Sequence, residues 1–151
     1  MSFRCIDVLN QILIQPDINH VLEWGCGGST VYFSHKMATK QQWTWISIDM
    51  DQQWIDRISP LVDHDHVTLI RATYETWLHP PKAQYGYDLI IVDAERREEC
   101  IILCRSYGWL SPHGVIALHD AQRSQYHAVC RDLIICRYHR EDVDDIWIMW
   151  P

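Results

Sequence analysis

Short apolar runs alternate along the chain with segments whose apolar side chains recur every three to four residues. The runs predict buried strands, and the periodic segments predict helices. Strands are expected at 20–23, 43–48, 67–70, 88–92, 115–118, 134–139 and 146–150, and helices at 3–14, 29–37, 52–61, 98–107 and 125–133. Such alternation is typical of βαβ units around a parallel sheet.

The last two predicted strands are separated only by a short acidic stretch, Glu141 to Asp145, and Ser111 to Gly114 is expected to be a turn. So short a connection permits an antiparallel hairpin but not a parallel crossover. The pattern predicts an α/β fold with a Rossmann-like, doubly wound, seven-stranded and mostly parallel sheet that ends in a C-terminal antiparallel hairpin. At 151 residues, the chain is expected to form a single domain, residues 1–151.

The first predicted strand runs into a glycine-rich turn, Gly25 to Gly28, and a helix follows it. Glycine permits positive φ angles and lets a ligand approach the main chain closely. The start of the next helix presents free N–H groups. Because ligands of open α/β sheets bind outside the carboxyl ends of the strands, the turn predicts a cofactor cradle, although a tight structural turn would have the same sequence.

Three acidic residues, Glu23, Asp49 and Asp93, end three of the predicted strands. Glu23 can accept hydrogen bonds from a cationic or amino-bearing ligand, and Asp49 has the placement that holds ribose hydroxyls. Each acid alone could be a solvated carboxylate or a helix cap. Three of them beside one glycine turn favour a ligand site.

Two other nucleotide-binding turns fit less well. A Walker phosphate loop needs a Gly-Lys-Ser/Thr ending that this turn lacks. A nicotinamide-dependent oxidoreductase stays an alternative, but its G-x-G-x-x-G spacing would require glycine where the chain has Thr30. Glu23 would also repel a pyrophosphate, whereas it suits a ligand that carries a sulfonium and an ammonium.

Four stretches of the chain resemble, in order, the motifs of the class I methyltransferases: Glu23 to Ser29, Ile48-Asp49, Tyr87 to Asp93 and Leu110 to Ile116. The resemblance extends from about residue 20 to residue 150 and implies S-adenosyl-L-methionine as the cofactor. The cofactor contacts that it implies are Glu23, Trp24, Gly25, Cys26, Gly27, Ser29, Asp49, Met50, Ala72, Thr73 and Asp93. Trp24 could equally be a core aromatic.

Asp93 and the pair His119-Asp120 end neighbouring predicted strands, and in the strand order of that family they would face the methyl group. They are the candidate catalytic residues. Together they could hold Mg²⁺ or Mn²⁺, which would lower the pKa of a substrate hydroxyl. This set resembles the metal-dependent O-methyltransferases of catechols and sugars, although His119 replaces the first acid of their pair. Alternatively, His119 or Asp120 acts directly as a general base.

Charge and composition limit the partners. The net charge is −7, and 13 basic residues are scattered among 20 acidic ones, so no nucleic-acid partner is expected. No apolar run reaches the roughly 20 residues that span a bilayer, and no secretory pattern opens the chain, so neither membrane association nor export is expected and the location should be cytoplasmic. The six cysteines lack CxxC spacing and are expected to be reduced thiols rather than a zinc site.

The expected function is O-methylation of a small or sugar-like hydroxyl compound. Arg96, Arg97 and Arg123 follow the candidate acids and could bind an acidic or sugar-phosphate substrate, or pair with neighbouring carboxylates. Because few residues precede the first strand, a homodimer partner could supply the substrate lid. The alternative outside the enzymes is a non-catalytic module that binds the cofactor and serves as a scaffold.

Overall fold

The computed structural model of the chain describes residues 1, 3–138 and 145–150, with side chains for all of these except residues 3, 4 and 136–138. The strands in this part are β1 (His20–Trp24), β2 (Thr44–Asp49), β3 (Val67–Arg71), β4 (Tyr87–Val92), β5 (Leu110–His119), β6 (Ile134–Tyr138) and β7 (Ile146–Trp150). The helices are α1 (Phe3–Leu13), α2 (Gly28–Met37), α3 (Gln52–Ile58) and α4 (Arg97–Ser106), with 3-10 helices at Ser59–Leu61 and Ser124–Tyr126.

The strands form one sheet in the order β3-β2-β1-β4-β5-β7-β6. Strands β1 to β5 pair in parallel, and β7 runs antiparallel to both β5 and β6. The chain moves outward from β1 to β3 and then crosses to β4 on the other side of β1. Such a reversal leaves a crevice at the carboxyl ends of the strands. The predicted fold class is confirmed.

The central strands are apolar on both faces, as the two-residue period of a strand allows. In β4, Ile90 and Val92 pack on the face that α4 covers. Leu89 and Ile91 pack on the opposite face, which α1 and α2 cover. Cover on both faces is why β4 has a continuous apolar sequence rather than an alternating one.

The helix predicted at 125–133 is wrong. The segment forms the 3-10 helix Ser124–Tyr126 and then a series of turns. The N–H of Leu133, for example, donates to the carbonyl of Cys130 over 3.1 Å, which is the three-residue bond of a tight turn. Tyr126, Cys130 and Leu133 are nevertheless buried, so successive turns satisfy the apolar spacing that predicted a helix.

The turn predicted at Ser111 to Gly114 is also wrong, because the segment is an extended and irregular part of β5. The pairing of β5 with β4 shifts register between Tyr87 and Leu89. Gly114 permits the close contact of the two strands, since a Cβ there would lie 2.4 Å from the carbonyl oxygen of Tyr87.

The other predicted elements are present with bounds that differ by a few residues. Residue 139 of the predicted sixth strand and residues 141–144 of the predicted acidic turn lie outside the described residues. None of the described helices has both the length and the apolar character needed to cross a membrane.

Candidate active site

Two adjoining cavities open at the carboxyl ends of β1, β2 and β4, and both contact Gly25, Asp49, Trp54 and Asp93. The larger, about 480 Å³, extends to α1 and α2 and is called the α2 lobe here. The smaller, about 410 Å³, extends to Met50, Trp77 and the start of α4 and is called the α4 lobe. Seven of the predicted cofactor residues line the lobes: Gly25, Cys26, Gly27, Ser29, Asp49, Met50 and Asp93.

Gly25 brings the end of β1 against the end of β4. Its φ angle is +97°, and a Cβ there would lie 2.1 Å from the carbonyl oxygen of Asp93. Its N–H donates to the carbonyl of Ile48 over 2.9 Å, which also joins the turn to β2. Only glycine fits this position, because both the backbone conformation and the space exclude a side chain.

The start of α2 faces the α2 lobe with free backbone donors. The N–H of Gly27 donates to Oγ1 of Thr30 over 2.8 Å. The N-cap residue, Gly27, has no side chain with which to accept the N–H groups of the first turn. The N–H groups of Gly28 and Ser29 lie in the first turn, where a helix offers them no acceptor, and both residues line the lobe. This end of the site therefore suits an anionic group such as a carboxylate.

Glu23 is fully buried beneath the glycine turn. Its carboxylate accepts hydrogen bonds from the hydroxyls of Ser29 (2.6 Å), Thr30 (2.6 Å) and Ser47 (2.7 Å) and from the indole N–H of Trp45 (3.1 Å). Burial raises the pKa of Glu23, and the four donors offset part of this effect. Glu23 thus ties β1 to β2 and α2, and its direct contact with a cofactor stays a prediction.

Asp49 ends β2 and lines both lobes. Its carboxylate accepts the N–H groups of Cys26 (3.1 Å) and Asp51 (2.9 Å), so it is held in place while it faces the cavity. The indole N–H of Trp54 donates to the carbonyl of Cys26, which fixes the indole ring beside the glycine turn. The position of Asp49 is compatible with the ribose contact predicted from the sequence.

Four predicted cofactor residues line neither lobe: Glu23, which lies beneath the glycine turn, and Trp24, Ala72 and Thr73. Trp24 is fully buried, and its indole N–H donates to the carbonyl of Trp77 over 3.1 Å. Of the two roles that the sequence leaves open for Trp24, the structure shows the core aromatic. Ala72 is buried in the same cluster, and the exposed Thr73 donates its hydroxyl to Glu75 over 2.6 Å. A contact of these residues with the cofactor stays a prediction.

The three candidate catalytic residues form one charge-paired network. Oδ1 of Asp93 accepts from the guanidinium of Arg97 over 2.7 Å and lies 2.9 Å from Nδ1 of His119. The same guanidinium lies 3.4 Å from Oδ2 of Asp120, which also accepts from Arg123 over 2.6 Å. The side chain of His119 is 8% exposed and that of Asp93 is 25% exposed. Asp93 therefore faces the cavity, and His119 lies behind it.

This network does not fit the Mg²⁺ or Mn²⁺ site predicted from Asp93, His119 and Asp120. The buried guanidinium of Arg97 already occupies the position between the two carboxylates, where it would repel a divalent cation. In the part of the chain that the structure describes, no three His, Cys, Asp or Glu side chains are grouped to hold a metal ion. The acids are paired with arginines instead of forming an open set of oxygen ligands.

Arg97 was a candidate from the sequence, but its pairing with both Asp93 and Asp120 was not foreseen. Asp93 and Arg97 lie four positions apart, and the turn between β4 and α4 brings their side chains together. Arg96 instead pairs with Glu99 and lies 4.0 Å from the centre of the Tyr74 ring. The alternative in which these arginines pair with the glutamates of the helix start holds for Arg96, whereas Arg97 pairs with the strand-end aspartates instead.

The strand order, the glycine turn and the acids at the strand ends define a class I methyltransferase. The sequence profile of the methyltransferase domain family matches residues 22–121, and the chain belongs to this family. The family acts with S-adenosylmethionine, so the protein is an S-adenosylmethionine-dependent methyltransferase. Comparison with curated proteins gives no significant match.

Solved structures share the fold across nearly the whole chain. A protein described as the methyltransferase yhhF of Escherichia coli has a TM-score of 0.66 and 17% identity, with 99% of this chain and 86% of that one covered. The methylase HI0767 of Haemophilus influenzae has a TM-score of 0.70 and 12% identity, with coverages of 98% and 88%. A protein described as an rRNA methylase from Clostridium thermocellum has a TM-score of 0.68 and 13% identity, with coverages of 95% and 90%. At these identities the similarity shows the fold alone.

Proposed function

We propose that the protein methylates a hydroxyl oxygen of a small molecule without a divalent metal, with Asp93 as the proton acceptor. The observation that carries the proposal is the pairing of Oδ1 of Asp93 with both Arg97 and His119. These two donors hold the carboxylate at the wall that both lobes share. The same pairing leaves no open set of ligands for a metal.

The residues around the two lobes fit S-adenosylmethionine. The free N–H groups of Gly28 and Ser29 would hold its carboxylate, and Asp49 would hold its ribose hydroxyls. Met50 and Trp77 would contact its adenosine part in the α4 lobe. When bound, this cofactor supplies an electrophilic methyl group, and its carbon–sulfur bond breaks with the electron pair going to sulfur. The absence of a side chain at Gly25 permits the close contact of the ends of β1 and β4 on which this cavity depends.

Asp93 is placed to handle the proton of the acceptor. Among the described residues, Oδ1 accepts both hydrogen bonds from the protein and Oδ2 accepts none. Oδ2 would accept the hydrogen bond of the substrate hydroxyl and then its proton, as the oxygen forms its bond to the methyl carbon. The proton then leaves Asp93 for water, so the charge lost by the sulfonium appears as a released proton.

His119 acts through Asp93 in this scheme. Its ring lies behind the carboxylate, which makes it a positioning residue rather than the direct base that the sequence suggested. The pairing requires the Nδ1–H tautomer, because a carboxylate can only accept. Asp120 has a similar supporting role, since Arg97 and Arg123 both hold it.

Substitution of Asp93 by the isosteric Asn tests the proposal. Purified wild type and Asp93→Asn would be titrated with S-adenosylhomocysteine and then assayed with S-adenosylmethionine and a panel of small hydroxyl compounds in EDTA. We expect similar cofactor affinity and a loss of roughly 10²- to 10⁴-fold in kcat. Full activity of the variant, or a wild-type activity that EDTA abolishes and Mg²⁺ restores, would contradict the proposal.

A further inference from the structure

Apolar side chains wall the part of the α2 lobe that lies away from the α4 lobe. They come from the N-terminal residue, α1 and α2: Met1, Ile6, Tyr32 and Phe33. The charged side chains that line the lobe are those of Asp49 and Asp93, both at strand ends, and no described Lys, Arg or His side chain lines it. The lobe thus combines an apolar wall with the two carboxylates of Asp49 and Asp93.

Tyr32 is an exposed aromatic residue that the surrounding helices hold in place. Its side chain is 41% exposed, yet Nδ2 of Asn10 on α1 donates to its hydroxyl over 3.4 Å. Its ring meets Phe33 edge-on, with centroids 5.1 Å apart. The ammonium of Lys36 lies 5.6 Å from its centroid. A ring fixed by two helices, partly open to solvent and in contact with the lobe is a preformed surface for a ligand ring.

We propose that the α2 lobe binds the methyl acceptor as a flat, uncharged ring that stacks on Tyr32 and presents its hydroxyl to Asp93. This inference rests on the proposed function and narrows its substrate class. The cofactor carboxylate would take the N–H groups of Gly28 and Ser29, so a phosphorylated acceptor would bring its charge toward Asp49 and Asp93 without a Lys, Arg or His side chain to pair with on the lobe wall. A charge without such a partner is costly to desolvate. A saturated sugar ring has no π system for offset stacking on Tyr32, whereas a flat aromatic ring has one.

Three matched small molecules separate these possibilities: phenol, cyclohexanol and phenyl phosphate. Each would be titrated by NMR into the full chain saturated with S-adenosylhomocysteine. We expect phenol to bind more tightly than cyclohexanol, because only the flat ring stacks, and phenyl phosphate to bind more weakly than phenol. Tighter binding of cyclohexanol or of phenyl phosphate, or no binding of phenol, would overturn the inference.

Variants test whether Tyr32 is responsible. We expect Tyr32→Leu to weaken phenol binding by about tenfold and Tyr32→Phe by less than about twofold, because the ring remains. Tyr85→Leu removes a more exposed tyrosine that lines a different cavity and should leave phenol binding unchanged. The thermal midpoint of each variant would establish that it is folded.

The outcomes distinguish the two proposals. If wild type fails to bind S-adenosylhomocysteine, the proposed function itself is wrong. If it binds S-adenosylhomocysteine and Tyr32→Leu retains the wild-type affinity for phenol, only the assignment of Tyr32 and of a ring-shaped acceptor is wrong.

Discussion

The guanidinium of Arg97 donates a hydrogen bond to Oδ1 of Asp93 over 2.7 Å. Asp93 follows β4 and Arg97 begins α4, so the contact spans the first turn after the strand. The same guanidinium reaches Asp120 beyond the end of β5. Arg97 thus places one positive charge between two carboxylates at the strand ends, which is the role that the sequence had suggested for a metal ion.

Removing this guanidinium should destabilise the fold. Arg97→Met leaves two largely buried carboxylates without their shared partner, and we expect it to lower the free energy of unfolding by about 3 kcal/mol. Chemical denaturation would measure the change. Arg105→Met is the control, because Arg105 pairs with the exposed Asp132 and such a pair is worth about 0.5 kcal/mol.

A double variant tests whether the lost stability comes from the uncompensated carboxylates. Adding Asp120→Asn to Arg97→Met removes one of the uncompensated charges, so part of the lost stability should return. A loss for Arg97→Met no larger than that for Arg105→Met would show that the network has little energetic importance.

The role of His119 as a positioning residue predicts a specific pattern of kinetics. His119→Leu removes the donor to Asp93, and we expect kcat to fall by about 10- to 100-fold while the affinity for S-adenosylhomocysteine is kept. His119→Asn can still donate from a similar position and should recover most of the activity. Equal losses in both variants, or a parallel loss of cofactor affinity, would indicate a purely structural role.

Gly25 is predicted to be essential for the cofactor site. Gly25→Ala places a Cβ 2.1 Å from the carbonyl oxygen of Asp93 in a backbone with φ of +97°, so β1 and β4 must separate. We expect S-adenosylhomocysteine binding to be lost and stability to fall by more than about 3 kcal/mol. Calorimetric titration and denaturation would measure both.

Gly108 provides the matched control for the backbone conformation. Its φ is +60°, and an added Cβ would meet nothing within 4 Å. Gly108→Ala should therefore cost only the about 1 kcal/mol of the left-handed conformation and leave ligand binding unchanged. Cofactor binding by Gly25→Ala at wild-type affinity would refute the described cradle.

The location of the cavity could be predicted because it depends on local sequence. Gly25, Asp49 and Asp93 each follow a run that is unmistakably a strand, and parallel strands bring their carboxyl ends to one edge of the sheet. Once the strand order is given, these three residues must lie together. His119 and Asp120 lie next to them, because β5 pairs in parallel with β4.

The partners of those residues could not be predicted, because they depend on contacts between distant segments. Arg97 meets Asp120 only when α4 docks beside the end of β5. The sequence around Trp24 is compatible with a pocket wall as well as with a core position. Which of the two Trp24 adopts depends on its hydrogen bond to Trp77, which comes from the segment after β3. The helix predicted at 125–133 failed for a related reason, since turns bury the same apolar residues.

Glu23 gives a prediction about pH. Burial raises its pKa above the ordinary value of 4.5, so the folded state binds the proton more tightly than the unfolded state does. The contribution of Glu23 to stability is therefore full below about 4.5 and is lost as the pH rises through the raised pKa. Glu23→Gln cannot ionise, so the stability of the wild type relative to this variant should fall as the pH rises from about 5 to about 8.

Urea denaturation at both pH values would measure this difference, with Glu99→Gln as the control. A hydrogen bond from Arg96 lowers the pKa of Glu99, so its contribution is complete above the ordinary value of 4.5 and is lost only as the pH falls. The difference in the free energy of unfolding between Glu99→Gln and wild type should thus be the same at both pH values. A constant difference for Glu23→Gln as well would contradict the assigned cause.

Cys26 lies in the glycine turn and lines the α2 lobe, but it should be a poor nucleophile. Burial first, and the neighbouring Asp49 second, raise the pKa of its thiol to about 12. At a pH of about 8 the thiolate fraction is then about one part in ten thousand, roughly a thousandfold less than for an ordinary thiol. We expect iodoacetamide to modify Cys26 far more slowly in the native protein than in urea, as peptide mass spectrometry would show.

The contribution of Asp49 can be isolated within the same experiment. Asp49→Asn removes a nearby negative charge and should speed the alkylation of Cys26. Cys130 is the internal control, because burial alone raises the pKa of its thiol to about 11 and Asp49 is not among the causes. Faster alkylation of both thiols would mean that Asp49→Asn loosens the fold, whereas faster alkylation of Cys26 alone would show that the Asp49 carboxylate acts on the glycine turn, where we propose that the cofactor binds.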